Sequence, residues 1–173
     1  VFLDDDSNER IITFNSNNKI YTVNVTDDAS AGVTLTPVNI FKTRVTALNH
    51  NSCLAGDNDV MHIDSENQVR SLGPAYNSER TNRNYSDSIS EPFHYSLFRN
   101  EYDFSEAEAA LVGSEYWLLC KRKGDEYNNE IVIYDKKLQH WKRRVGIMGS
   151  AINNWNGKIV YADALRNKVY EFS

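Results

Sequence analysis

Residues Asn128 to Arg144 read NNEIVIYDKKLQHWKRR: a short apolar run, an Asp, a polar turn, then Trp in a basic segment. A close relative of this phrase stands earlier, at Asn58 to Leu72, as NDVMHIDSENQVRSL. Four segments share the underlying form, which is two apolar residues three apart followed by Asp, Asn or Ser. They are Ile20 to Asn24, Val60 to Asp64, Ile131 to Asp135 and Val169 to Ser173, each preceded by Asn or Asp. They recur at intervals of about 40 residues, with a longer middle interval that holds a polar insertion.

A second phrase accompanies the first. Ala47-Leu48, Ala110-Leu111 and Ala151-Ile152 each precede a turn-like stretch (NHNS, VGSE, NNWNG) and then another apolar run (CLA, YWLLC, KIVYA). Asn, Gly and Ser are the residues that tight reversals between strands demand. The unit therefore reads strand, turn, strand, turn, strand, usually with a fourth strand such as Gln68 to Leu72 or His140 to Val145. The runs are short, rich in Val, Ile, Tyr, Phe and Thr, and broken by Asn and Gly, which argues against helix. Only Ser105 to Leu111, SEAEAAL, has helical composition. Two readings stay open for it: one short turn of helix with Ser105 as N-cap, or simply the lead-in to a strand.

Side chains alternate along a strand, so apolar residues at i and i+3 face opposite sides, and such a strand is covered on both faces. Four-stranded antiparallel units with both faces covered are the blades of a β-propeller. The expected fold is thus all-β, with blade-like units at 1–42, 43–72, 104–146 and 147–173 and a polar insertion at 73–103. The first unit lacks one strand unless Val1 to Asp4 supplies it, and the last stops after its third. Four units from a larger ring, a compact closed domain and a β-sandwich are the architectures left open.

The chain has 173 residues, 40% of them hydrophobic and 25% charged, a globular balance with room for a core. No apolar run approaches the ~18 residues of a membrane span. The opening VFLDDDSNER has neither a basic start nor an apolar core, so no secretory signal is read there; a start at Val1 suggests a processed chain or an excised piece. A net charge of −5 argues against a dedicated nucleic-acid binder. Two cysteines, Cys53 and Cys120, are too few for a disulfide framework or a cysteine zinc site.

The insertion, Gly73 to Asp103, concentrates Tyr76, Tyr85, Tyr95 and Tyr102 with Arg80, Arg83 and Arg99. Tyr and Arg dominate interface energetics, and long segments on rigid scaffolds carry partner contacts. These seven residues are the candidate binding set, with a protein partner preferred; the bland alternative is a solvated connection whose aromatics pack on a neighbouring sheet. Elsewhere the chemistry is sparse. Asp4 to Glu9 lacks the Gly of an EF-hand loop. His50, Cys53 and His62 do not match a zinc signature. No nucleophile elbow, phosphate-cradling loop or HExxH occurs. Asp57, Asp59, Asp125, Glu126 and Asp163 are acids of turns rather than a glycosidase pair. Lys121 to Lys123, Lys136-Lys137 and Lys142 to Arg144 read as charges guarding sheet edges. Asn24-Val-Thr26 and Asn84-Tyr-Ser86 match the glycosylation acceptor pattern by chance. No catalytic residue, cofactor or metal is expected.

The succession AALVGSEYWLLCKR, NNEIVIYDKKLQHWKRR and INNWNGKIVYADALRNKVYEF resembles propeller regions of tailed-phage virion proteins of the portal-proximal tail, such as nozzle, muzzle or DNA-stabilisation components. The likeness covers mainly Val45 to Phe172. It implies a structural module of a virion tail or neck, assembled in the host cytoplasm. Its partners would be other virion subunits and further copies of itself, with at most passive contact to DNA in a channel. An acidic wall suits such a channel, because tight DNA binding would impede passage. The alternatives are a receptor- or glycan-binding propeller and, behind it, a glycosidase.

Overall fold

A computed structural model describes residues 2–3, 9–15, 19–28, 30, 32–42, 47–56, 59–71, 87–88 and 93–172, with side chains at 30, 47–55, 60–71 and 97–172. The expected all-β, antiparallel class holds. Three sheets follow one another as meanders. The first runs β1 (Phe2–Leu3), β2 (Glu9–Asn15), β3 (Lys19–Asp28), β4 (Gly32–Lys42). The second runs β5 (Leu54–Gly56), β6 (Asp59–Ile63), β7 (Val69–Ser71), β8 (Asp87–Ser88). The third has six strands: β9 (Tyr102–Val112), β10 (Glu115–Arg122), β11 (Asn128–Asp135), β12 (His140–Trp155), β13 (Lys158–Asp163) and β14 (Val169–Glu171).

The third sheet joins what the sequence divides at residue 146. Strand β12 pairs with β11 through residues 140–145 and 149, then with β13 from Gly149 onward. Its register against β11 slips between Asn128 and Glu130, which face Gly149 and Val145, so β12 carries two surplus residues there. Gly146 takes φ +87° in this bulge, a conformation that costs glycine nothing. The strand bends, and its second half curls with β13 over β9–β11, where Asn154 Nδ2 donates to the Leu111 carbonyl at 2.7 Å.

That curl covers one face of β9–β11. Ala110, Trp117, Leu119, Ile131 and Ile133 pack there with Ile152 and Ile159. The opposite face carries Tyr116, Leu118, Cys120 and Val132, covered by Met61, Ile63 and Val69 of the second sheet and by Phe98. Successive residues of β10 and β11 thus enter different cores, as the spacing of Ile131 and Tyr134 requires. Val60 is buried as well. Val169 is not: it is 69% exposed, so the two-sided cover expected of the last unit is missing on its outer face.

Of the two readings of SEAEAAL the strand holds: it lies inside β9, where Glu106 and Glu108 alternate with Ala107 and Ala109 at period two. The helix sits in the insertion instead, as α1 (Phe93–Glu101). Its Phe98 meets Tyr102, Phe104 and Trp141 edge-on, with ring centroids 5.7, 5.5 and 5.0 Å away. The NHNS stretch does not reverse the chain. Ala47 bridges Asp64 and Leu54 pairs with Met61, so one strand passes along β6, interrupted by a 3₁₀ turn at His50–Ser52. The other two turns are true hairpins: Gly113-Ser114 with φ +55° at the glycine, and Asn156-Gly157 with both φ positive.

Close packing at the bend gives one prediction. A Cβ on Gly149 would stand 2.8 Å from Leu119 Cδ2, and Leu119 is fully buried. Gly149→Ala is expected to cost about 1–3 kcal/mol in denaturant unfolding. In the Leu119→Ala background the added methyl has room, so its further cost falls below that value.

Candidate functional site: an acidic cleft where the strands bulge

The recurring Asp is a structural device before it is anything else. Asp64 Oδ1 accepts from the amides of Glu66 and Gln68 at 2.8 and 3.0 Å. Asp135 Oδ1 accepts from Lys137 and Leu138 at 3.0 and 3.2 Å, and Asp163 Oδ1 from Leu165 and Arg166 at 2.9 and 2.7 Å. Each turn closes through a residue of positive φ, Asn67, Gln139 or Asn167. Each carboxylate also meets a cation: Arg70 for Asp64, Lys142 at 3.6 Å for Asp135 and Arg166 at 3.7 Å for Asp163. Backbone amides, that of Leu138 foremost, hold the Asp135 carboxyl below its ordinary value. Asp163, a turn acid in the sequence, is thus a third copy of the phrase, and is buried.

The predicted contact set divides. Tyr76, Arg80, Arg83 and Tyr85 lie outside the described residues, as does the side chain of Tyr95, whose backbone belongs to α1. Arg99 is exposed at the end of α1. Tyr102 is fully buried. Its hydroxyl donates to Glu130 Oε2 at 2.5 Å, and burial first, then the Glu130 carboxylate, pushes its pKa up to about 12. That position belongs to the core rather than to a partner.

The basic run 121–123 lies on and just beyond the inner strand β10, not on an edge. Lys121 Nζ donates to Glu106 at 2.8 Å, and Arg122 bridges Glu130 and Glu101 at 2.7 Å each. Lys123 Nζ reaches the Arg99 carbonyl at 2.8 Å. These cations tie β10 to α1, β9 and β11. Among the described residues no group of three His, Cys, Asp or Glu side chains is gathered to hold a metal.

The chemistry that the sequence did not display lies where ladders break. Strand β9 slips against β10 between Leu119 and Lys121, which face Glu108 and Asp103, leaving three surplus residues on β9. This bulge lies close to the one in β12. The 3₁₀ turn of the second sheet rests on it, with Asn49 Nδ2 donating to the Phe104 carbonyl at 2.7 Å and Asn51 Nδ2 to Glu108 at 3.0 Å. A cleft of about 600 Å³ opens here, lined by Asn51, Glu106, Glu108, Glu126, Asn128 and Asp163 among others. Asn128 is 7% exposed; its Nδ2 donates to the Glu106 carbonyl at 3.0 Å and its Oδ1 accepts no hydrogen bond. A second cleft of about 430 Å³ lies along the β12 bulge and includes Asn129, Glu130 and Arg166. Period-two alternation in SEAEA was the sequence signal for Glu106 and Glu108 on one face; nothing local marked Asn128.

The two thiols are not nucleophiles at neutral pH. Burial pushes Cys53 up to about 11 despite a hydrogen bond from Ser52, and pushes fully buried Cys120 higher still. Against an ordinary value of 9.0, the Cys53 thiolate fraction at pH 8 falls about a hundredfold. Iodoacetamide at pH 8 should therefore modify Cys53 about a hundred times more slowly than a free thiol. Cys120 should react only at the rate of unfolding.

No family model matches the chain, and no curated protein matches it. Among solved structures that match, BamB from Moraxella catarrhalis aligns with 99% of this chain at 9% identity and a TM-score of 0.40. The chain spans 60% of that structure's length.

Proposed function

We propose that the chain is a non-catalytic scaffold of β-propeller type, its sheets serving as blades, which makes protein–protein contacts in a tailed-phage tail or neck assembly. One observation carries the interaction reading. Trp155, Leu165 and Val169, all large and hydrophobic, are exposed on the curled end of the third sheet, and Val145 and Met148 are exposed at the bulge before it. Clustered exposed apolar side chains mark surfaces that other proteins cover. Register places Trp155, Val160, Ala162 and Val169 on the sheet's outer face. The resemblance of residues 45–172 to virion propellers supplies the setting.

Cross-linking mass spectrometry on purified virions tests this. Lys158, exposed beside Trp155, should link to another subunit, with the chain in fixed copy number and an interface above ~1,000 Å². Trp155→Lys combined with Val169→Lys should abolish those links without lowering the melting temperature. Absence of the chain from virions overturns the setting; unchanged links in the double variant overturn the surface.

A further inference from the structure

We infer that the first half of β12 is a docking edge for an extended acidic segment of a partner protein, which joins the third sheet as an added strand. Residues 140–145 pair with β11 on one side. On the other side β13 begins only at Gly149, and it leaves after Asp163, where the Ala164 amide closes on the Met148 carbonyl at 2.8 Å. Among the described residues no strand pairs with that second side before Gly149. Side chains alternate between faces, yet Lys142, Arg143, Arg144, Val145 and Gly146 are all exposed in succession. Water therefore reaches this stretch from its open side on both faces. Alternate residues there turn their N–H and C=O groups away from β11, and such a row is a template for another chain.

Charge selects the occupant. The basic run 142–144 does lie on a sheet edge, but its cations are drawn back over their own sheet. Lys142 Nζ meets Glu115 at 2.7 Å and Asp135 at 3.6 Å, and Arg144 lies over the rings of Trp117 and Phe172, 5.3 and 5.5 Å from their centroids. Arg143 Nε stands 3.8 Å from Glu130 Oε2, too far for a hydrogen bond, and that carboxylate already accepts from Tyr102 and Arg122. Arg143 and Arg144 face opposite sides of the strand, so carboxylates at adjacent positions of an added strand meet one each. A second copy of this edge does not fit, because it would set cations against cations. A cleft of about 430 Å³ adjoins the end of the edge at Val145 and Gly146, where Met148 and Leu165 offer apolar contact to a side chain of the same segment. This inference goes beyond the scaffold reading and does not depend on it: the edge lies before the bulge, Trp155 and Val169 beyond it.

Two probes test it: the peptide acetyl-Thr-Val-Glu-Asp-Val-Thr-amide, and its counterpart with Lys-Lys in place of Glu-Asp. Each is titrated into the full chain while backbone amide exchange is followed by two-dimensional NMR. In the free chain, alternate amides of residues 140–145 should exchange fast and the intervening ones, bonded to β11, slowly. Saturating acidic peptide should slow the fast set by about tenfold or more, and the basic peptide should leave it unchanged. Arg143→Gln combined with Arg144→Gln should weaken binding of the acidic peptide about tenfold. Should that variant fail to fold, the peptide carries the test instead. Methylating its backbone nitrogens at one alternating set of residues should abolish binding, and at the other set should spare it. The inference is overturned if the fast set is already protected in the free chain, or if the acidic peptide does not slow it. It is overturned equally if the basic peptide acts as strongly, if the Gln variant binds as tightly as the parent, or if both methylated peptides bind as the parent peptide does.

Discussion

Asp64→Ala lowers the stability of the chain by about 3–5 kcal/mol, read from urea unfolding by far-ultraviolet circular dichroism. The Asp64 side chain is wholly buried and holds three partners: the amides of Glu66 and Gln68 through Oδ1, and the Arg70 guanidinium through Oδ2. Alanine removes the shared acceptor of two backbone amides and the ion-pair partner of the half-buried Arg70, beside an apolar core. Removing one member of a buried pair costs more than the pair contributes, because the survivor keeps its desolvation penalty. Asp64→Asn separates the terms. Its Oδ1 still caps the turn, so most of the remaining loss comes from charge, and the variant should sit between the parent and alanine. A loss below about 1 kcal/mol for alanine would mean that the turn is held by something else.

The same device explains why a small domain repeats a phrase. Antiparallel strands with apolar residues at both faces need a polar turn that is rigid without help from a core. An Asp that captures two amides, with a residue of positive φ three to four places on, provides it. HIDSEN and IYDKKLQ show this openly. YADALRN hides it, because Ala162 replaces the large residue that marks the other two.

What could be read from the chain, and what could not, divides along physical lines. Periodicity was legible wherever burial is two-sided, as in Ile131 to Asp135, since alternation then has consequences in both directions. Composition left SEAEAAL open between helix and strand: Ala and Glu are strong helix formers, yet pairing with β10 outweighs an intrinsic preference worth a few tenths of a kcal/mol, ~0.7 at most, per residue. At NHNS the residues that favour a reversal serve instead as a 3₁₀ interruption, Asn49 capping it by accepting from the Ser52 amide at 2.8 Å. Turn residues announce a departure from extended backbone, not its direction. The cleft was invisible for a related reason. Bulges are set by register between strands remote in sequence, so the meeting of Asn51, Glu106 and Asn128 has no local signature.

Leu118 and Leu119 decide the central claim, because they are neighbours in β10, are both fully buried, and enter different cores. Leu118 faces the second sheet and Phe98; Leu119 faces the curled end of β12 and β13. If β9–β11 is an inner layer, each leucine loses its methyl groups into a packed cavity. Leu118→Ala and Leu119→Ala should then each cost about 2–5 kcal/mol. Their effects should nearly add in the double variant, since the cores lie on opposite sides of one backbone. Measuring the two single variants side by side by urea unfolding is the most direct test. Comparable large losses are the predicted result. A large loss for one with a change within about 0.5 kcal/mol for the other, the size typical of a surface position, would mean that one face meets water and would contradict the account.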